Sequence, residues 1–306
     1  MTILIDPAQW PAHGTVFSHL VSDSSLEELH AFAQAAGISP RAFDRDHYDV
    51  PLHRYQDLVA RGAVEVSGTE LVRRLVSSGL RVPASRRPGK TDSVLRRRFD
   101  RLLPGHHPLH RQTVFHDLLD RWSEPHRHYH DPRHLLAVLS SIDLLERHGE
   151  DPGPWPRALR LAAWFHDAVY EGDPGRPAGQ DEEDSAVLAE TLLDRMGLPT
   201  AEIQETARLV RLTVSHDPEE DDPAGRLFSD ADLEVLGRSA PEYTRYLDAV
   251  RQDFSHVPDE AFAAGRAAVV RQLLALDPIY RTRTGQVRWE ARARINLAAE
   301  LERAGT

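Results

Sequence analysis

Hydrophobic and polar residues follow two different periods along the 306-residue chain. In the first part, short apolar runs with strand character are separated by stretches whose apolar positions recur every three or four residues. These patterns predict strands at 3–6 and 63–66 and helices at 25–36, 52–61 and 69–78. We therefore expect a small α/β domain over residues 1–82.

From residue 104 onward the apolar spacing is helical nearly throughout, and no repeat of solenoid length is present. The predicted helices lie at about 110–122, 132–148, 156–171, 181–195, 200–216, 229–237, 241–255, 258–276 and 287–303. This pattern predicts an all-α domain over residues 104–306. The fold class is therefore α+β overall, with a small N-terminal α/β domain followed by a helical one.

Residues 83–103 are predicted to link the two domains. The stretch 82–94 is rich in proline, glycine, serine and arginine and shows no apolar period. Several arginines follow it, from Arg96 to Arg101. We interpret them as a solvated linker and helix start, with a nucleic-acid-binding patch as the alternative.

The amino-acid composition limits the kinds of catalytic and metal-binding site that the chain can form. The chain has no cysteine, which excludes disulfides, thiolate nucleophiles, zinc–thiolate sites and iron–sulfur clusters, so His, Asp and Glu must supply any metal ligands. A net charge of −11 disfavours a nucleic-acid partner, whereas a small phosphorylated substrate is compatible because a divalent metal supplies positive charge locally. We find neither an apolar run of about 18 residues nor an export signal, so we expect a cytoplasmic protein without a membrane partner.

Two histidines occupy predicted inward faces of helices. His134 lies one turn before Val138 on the apolar face of the helix at 132–148, and His166 interrupts the apolar face of the helix at 156–171. Asp167 follows His166 at an offset of about 100° around the helix, so one ion beside the helix could touch both side chains. The two faces could meet in one core.

An acidic pair supplies the candidate fourth ligand. Asp232 falls on the apolar face with Phe228 and Leu236, whereas Asp230 is well placed to cap the amino terminus of its predicted helix. Both stay candidates. Two His and two Asp make a mixed site suited to Mn²⁺, Fe²⁺, Co²⁺, Ni²⁺, Zn²⁺ or Mg²⁺.

The order His134, His166–Asp167 and Asp230 or Asp232 resembles the HD superfamily of metal-dependent phosphohydrolases. The resemblance covers roughly residues 105–303 and extends to one bacterial subfamily of predicted phosphohydrolases through the stretches 123–130, 164–170, 182–186, 229–237 and 290–297. It implies hydrolysis of a phosphate monoester or diester by attack of metal-bound water, with Asp167 as ligand and catalytic residue. The superfamily also suggests a nucleotide substrate.

Five further residues receive supporting roles. Glu183 could act as general base or ligand of a second metal, or merely give its helix a polar first turn, and His216 could bind the second metal or a phosphate. Arg127 and Arg294 offer forked donors for a phosphate, with a structural ion pair as the alternative for Arg127. His130 is expected to position His134 or the substrate.

The first domain contains a possible second catalytic or metal site. Asp6 ends its first predicted strand, and further polar residues lie in or near its loops: His13, His19, Asp23, His47 and Asp49. The stretches 3–7, 10–14, 18–23 and 47–51 resemble a small bacterial domain family with no assigned function.

Two other functions stay open. The helical domain could be a non-enzymatic sensor that binds a nucleotide or a metal without turnover. Alternatively, the first domain could process nucleic acid, with the arginine-rich linker steering it. Nothing in the sequence indicates an oligomeric state.

Overall fold

The computed structural model describes residues 2–12, 14–81, 90–173 and 175–303. The chain divides into two units, Met1–Arg87 and Pro88–Thr306. The predicted fold class is confirmed, because an α/β unit precedes a helical one. Within the described ranges, no helix combines the length and apolar character needed to cross a membrane.

The sheet of the first unit is built around one long strand. In the described residues its strands are β1 (Ile3–Ile5), β2 (Trp10–Ala12), β3 (Thr15–Ser22), β4 (Tyr48–Pro51) and β5 (Val64–Glu65). Both β1 and β2 pair antiparallel with β3, and β4 pairs antiparallel with residues of β3 that overlap both partners. Consequently β1 and β2 lie end to end along one edge of β3 and β4 lies along the other. Strand β5 pairs parallel to β1.

Helices cover both faces of this sheet. They are α1 (Leu26–Ala35), α2 (Tyr55–Ala60) and α3 (Gly68–Ser77), with 3₁₀ turns at Pro40–Ala42 and Leu52–Arg54. Serine hydroxyls cap α1 and α3 by accepting hydrogen bonds from backbone N–H groups in their first turns. Leucines of α1 and α2 pack with Ile5 and Leu20, whereas leucines of α3 pack with Leu4 and Val21 on the opposite face.

The regular secondary structure described in the second unit is helical. Its helices are α4 (Lys90–Leu102), α5 (Pro108–Trp122), α6 (Pro132–Arg147), α7 (Pro156–Phe165), α8 (Gln180–Arg195), α9 (Thr200–Leu212), α10 (Pro223–Asp232), α11 (Ala240–Asp253), α12 (Asp259–Ala275), α13 (Arg283–Gly285) and α14 (Ala291–Arg303). A 3₁₀ turn at Leu233–Gly237 follows α10, and a π-helical turn at Gln286–Glu290 precedes α14. Helices α6, α7 and α10 surround the candidate site.

Helix α4 lies inside the range predicted as a linker, 83–103. Leu95 and Phe99, four residues apart, are fully buried in the helical core. Arg98 on the same helix pairs with Asp143 at 2.7 Å. Residues 90–102 therefore belong to the helical unit, and the arginines had masked the apolar spacing between them. Residues 82–89 lie outside the described ranges.

Candidate metal centre in the helical unit

Helix α6 places His134 in its first turn. The carboxylate of Asp131 caps this helix by accepting hydrogen bonds from the N–H groups of Arg133 and His134, at 2.7 and 3.2 Å. Pro132 occupies the first helical position, where its missing N–H costs no hydrogen bond. The imidazole of His134 is thereby held, buried, at the amino-terminal end of α6.

His166 and Asp167 stand where α7 ends. The helix stops at Phe165, so the predicted continuation to residue 171 is wrong. The side chain of His166 donates from Nδ1 to the carbonyl oxygen of Ala163 at 3.0 Å. Because a carbonyl only accepts, this bond leaves Nε2 as the nitrogen that faces the site.

The structure separates Asp232 from Asp230. Oδ1 of Asp232 lies 3.2 Å from His134 Nε2 and 3.5 Å from His166 Nε2. Both oxygens of Asp230 instead accept hydrogen bonds from Arg281 and Thr282, at 2.6 to 2.8 Å. Burial raises the pKa of Asp230 to about 7. Asp230 therefore holds the segment before α13 in place and does not join the cluster.

Asp230 does not cap a helix either. Helix α10 begins at Pro223, six residues before the predicted start at 229, and Asp222 caps it by accepting a hydrogen bond from the N–H of Gly225. Asp230 and Asp232 consequently lie in its last turn.

Four side chains converge at one buried point, and we call them the four-residue cluster: His134, His166, Asp167 and Asp232. The two Nε2 atoms are 3.1 Å apart. Oδ2 of Asp167 lies 3.1 Å from His166 Nε2 and 3.5 Å from His134 Nε2. Two imidazole lone pairs this close repel each other unless a proton or a cation lies between them. His134, His166 and Asp167 therefore have the geometry and the donor types of a cation site. Asp232 adds a second carboxylate within 3.5 Å of both imidazoles.

The carboxylates and the imidazoles of the cluster shift each other's pKa values. Burial by itself raises the pKa of Asp167 and of Asp232, but the neighbouring imidazoles outweigh burial and hold both values well below the usual range. Burial lowers the pKa of His134 and of His166, and here the carboxylates outweigh it and raise both. The carboxylates thus stay ionised in spite of their burial.

His216 contacts the carboxylate oxygen of Asp232 that does not face His134 and His166. The predicted helix at 200–216 ends at Leu212, and His216 has a left-handed φ of 52°. Its Nε2 lies 2.9 Å from Asp232 Oδ2. The observed partner of His216 is therefore Asp232, whose orientation it fixes.

His130 forms a dyad with Asp253, the last residue of α11. Nδ1 of His130 lies 2.7 Å from Asp253 Oδ2, and the His130 ring stacks on Tyr170 with centroids 4.2 Å apart. The ring centroids of His130 and His134 are 5.7 Å apart. The sequence interpretation did not include Asp253, because its partner is 123 residues away.

Arg127 has a structural role instead of the predicted phosphate contact. Its side chain is fully enclosed, and it donates to Glu124 at 2.9 Å and to the carbonyl oxygens of Asp167 and Ala168. The ion pair considered as the alternative is therefore present. Arg127 holds the backbone that carries Asp167 in position.

Glu183 and Arg294 also form hydrogen bonds with residues outside the four-residue cluster. Glu183 is about half exposed and forms a two-pronged pair with Arg211 at 2.7 and 2.8 Å, which lowers its pKa. Arg294 donates to Glu290 at 2.7 Å and to the carbonyl oxygen of Leu276 at 2.9 Å. Both side chains are therefore paired with residues outside the four-residue cluster, and their predicted roles stay predictions.

Glu182 lies close enough to Asp167 and His216 for their charges to shift its pKa, whereas the pKa of Glu183 responds to Arg211 and Asp184. Burial, and after it the nearby charge of Asp167, raises the pKa of Glu182, whereas His216 lowers it. Helical periodicity could have identified this residue, because Glu182 lies four residues before the buried Ala186 and seven before the buried Ala189.

The first unit brings together four of its six candidate residues. His19 lies on β3 and contacts the buried Asp6, with Nδ1 to Oδ2 at 3.0 Å. Nε2 of His47 lies 3.4 Å from Asp49 Oδ1. Asp23 instead accepts hydrogen bonds from Thr2 N–H at 2.8 Å and the Ser24 hydroxyl at 2.9 Å. His13 lies outside the described residues.

The imidazole of His47 gives a pH-dependent prediction for chelator-treated protein. Burial lowers its pKa, but the bonds to Asp46 and Asp49 outweigh burial and raise it from 6.5 to about 9. Because the folded value is the higher one, protonated His47 contributes stability fully below about pH 6.5, and this contribution is lost as the pH rises through about 9. An NMR titration of the ring and urea unfolding at both ends of this range measure the effect.

Asp46→Asn is the matched variant, because it removes the charge nearest His47. The His47 pKa should then fall toward its ordinary value. A wild-type pKa near 6.5 would contradict the prediction.

Residues 3–78 match the model of a protein family of unknown function, DUF4031. This match confirms the predicted resemblance of the first domain to a family without an assigned function, and it spans the strands and helices described above for that unit. No curated protein matches the chain. The resemblance of the helical unit to the HD superfamily therefore rests on its own residues.

Proposed function

We propose that the helical unit is a metal-dependent phosphohydrolase that cleaves a phosphate monoester or diester, with a nucleotide as the substrate class that the HD resemblance suggests. The observation that carries this proposal is the convergence of the four-residue cluster from the start of α6, the end of α7 and the end of α10. The HD resemblance supplies the reaction class.

The donor set fits a divalent ion. His166 is oriented by Ala163, Asp232 is oriented by His216, and the Asp167 backbone is held by Arg127. Such supported imidazole and carboxylate ligands suit Mn²⁺, Fe²⁺, Co²⁺, Ni²⁺, Zn²⁺ or Mg²⁺. When bound, the ion would act as a Lewis acid on phosphoryl oxygens and lower the pKa of water.

We assign three other groups to proton transfer and substrate binding. Glu182, with its raised pKa, is the proposed general base. The dyad of His130 with Asp253 presents an oriented imidazole that can protonate the leaving oxygen. The buried hydroxyl of Tyr170, which has no hydrogen-bond partner among the described residues, can donate to a substrate oxygen.

The test combines elemental analysis with turnover. Full-length protein and the variants His166→Ala and Asp167→Ala are assayed on phosphatase and nucleotide panels with Mn²⁺, Co²⁺, Ni²⁺ or Mg²⁺. We expect a chelator to abolish wild-type activity and both variants to lose metal and activity together, because each removes a ligand. His148→Ala, at the exposed end of α6, is the matched control.

The outcomes separate the alternatives. Binding of phosphate compounds without their consumption would favour the sensor. Nuclease activity that survives in both variants would favour the alternative in which the first unit is the enzyme. Unchanged metal content of the helical unit in both variants would overturn the proposed site.

A further inference from the structure

We propose that the first unit holds a divalent transition-metal ion between His19, His47 and Asp49. This site is separate from the four-residue cluster and goes beyond the proposed phosphohydrolase. Its ligands come from β3, from the residue before β4 and from β4 itself.

Strand register brings the ligands together. His19 on β3 is directly paired with Asp49 on β4, so both side chains project from the same face of the sheet. Helix α3 covers this face at Val21, two residues further along β3. The side chains of His19 and Asp49 remain 25% and 47% exposed. The proposed site therefore lies on a sheet face that α3 partly covers, and it is accessible to solvent.

Buried carboxylates orient both imidazoles. Nδ1 of His19 bonds to Asp6, and Nδ1 of His47 bonds to the fully buried Asp46 at 2.6 Å. Asp46 is in turn held by Arg81 at 3.3 Å. Ionised carboxylates only accept, so each Nδ1 donates and each Nε2 faces away from its carboxylate. This carboxylate–histidine arrangement is the one that supports metal-binding histidines in proteins.

Both Nε2 atoms face the same oxygen. Oδ1 of Asp49 lies 3.4 Å from Nε2 of His47 and 3.9 Å from Nε2 of His19. An ion pair with Asp49 requires only one imidazole. Here two imidazoles, each oriented by its own carboxylate, both face the Asp49 carboxylate. Two nitrogen ligands and one oxygen ligand favour Zn²⁺, Co²⁺, Ni²⁺ or Fe²⁺ over Mg²⁺ or Ca²⁺.

Trp10 offers a local reporter of occupancy. Its indole is 57% exposed, and its ring centroid lies 5.3 Å from that of His19. A paramagnetic Co²⁺ ion at the proposed site should therefore quench Trp10 fluorescence. Comparison with Trp10→Phe isolates this signal from the other tryptophans, including Trp122 beside the four-residue cluster.

The experiment titrates Co²⁺ into full-length protein that carries His166→Ala. This change removes a ligand of the four-residue cluster, so Co²⁺ binding in the first unit is tested independently of the proposed phosphohydrolase site. We expect about one equivalent of Co²⁺ to bind and quench Trp10. Asp6→Asn should weaken binding about 10- to 100-fold. His47→Ala and Asp49→Asn, which remove ligands, should weaken it further.

His53→Ala, on the exposed Leu52–Arg54 turn, is the matched control and should bind as the parent does. Asp49→Asn is the safest ligand variant for folding, because its side chain is half exposed, and circular dichroism verifies its fold. The proposal is overturned if the His166→Ala parent binds no Co²⁺ near Trp10. Equal affinity in His47→Ala, Asp49→Asn and the parent would overturn it as well.

Discussion

Asp232→Asn is expected to release the bound metal and to lower phosphoester hydrolysis at least about 10³-fold. Oδ1 of Asp232 is within 3.5 Å of both imidazole Nε2 atoms of the cluster. Its second oxygen meets His216. An asparagine at this position has no negative charge to offset a cation. Elemental analysis and initial rates on the same preparations measure both effects.

Asp230→Asn is the matched control, two residues away on the same helix. Asp230 accepts hydrogen bonds from Arg281 and Thr282, so an amide there should cost about 1–3 kcal/mol of stability while metal content is retained. Thermal unfolding measures this loss. The opposite pattern, with metal lost only in Asp230→Asn, would place the ligand at Asp230.

Glu182→Gln is expected to lower kcat about 10²- to 10⁴-fold, the range of a missing general base, with metal content unchanged. Burial and the charge of Asp167 raise the pKa of Glu182, which brings it closer to the working pH of a base. Steady-state kinetics together with elemental analysis separate this effect from loss of the metal.

Glu183→Gln is the control next to it in sequence. Glu183 is about half exposed and paired with Arg211, so the change should leave kcat intact and cost at most about 1 kcal/mol of stability. A large fall in kcat for Glu183→Gln, with Glu182→Gln unaffected, would restore the sequence-based assignment and refute ours.

Some members of the cluster could be predicted because their signal is local. His134 and His166 interrupt apolar faces, and such an interruption is visible from helical periodicity. Asp167 was predicted from a helical offset, yet the structure places it beyond the end of α7. It lies in the cluster because the chain turns there and Arg127 holds the turn.

Ambiguities of one or two residues arose where several acidic side chains stand together. Glu182 and Glu183 differ only in which face of α8 they occupy, and the buried alanines further along the helix decide between them. Asp230 and Asp232 differ in their partners, and the partners of Asp230 are more than 50 residues away. Such partners cannot be identified from neighbouring residues.

The sequence by itself determined the fold class, the absence of cysteine chemistry and the helices on or next to which His134 and His166 lie, because helical and strand periods are local properties of the chain. Tertiary structure alone decided that Asp232 joins the cluster, that Arg127 is enclosed and that His19 meets Asp49 across β3 and β4. Those contacts depend on how distant elements pack and pair, which local periodicity does not specify.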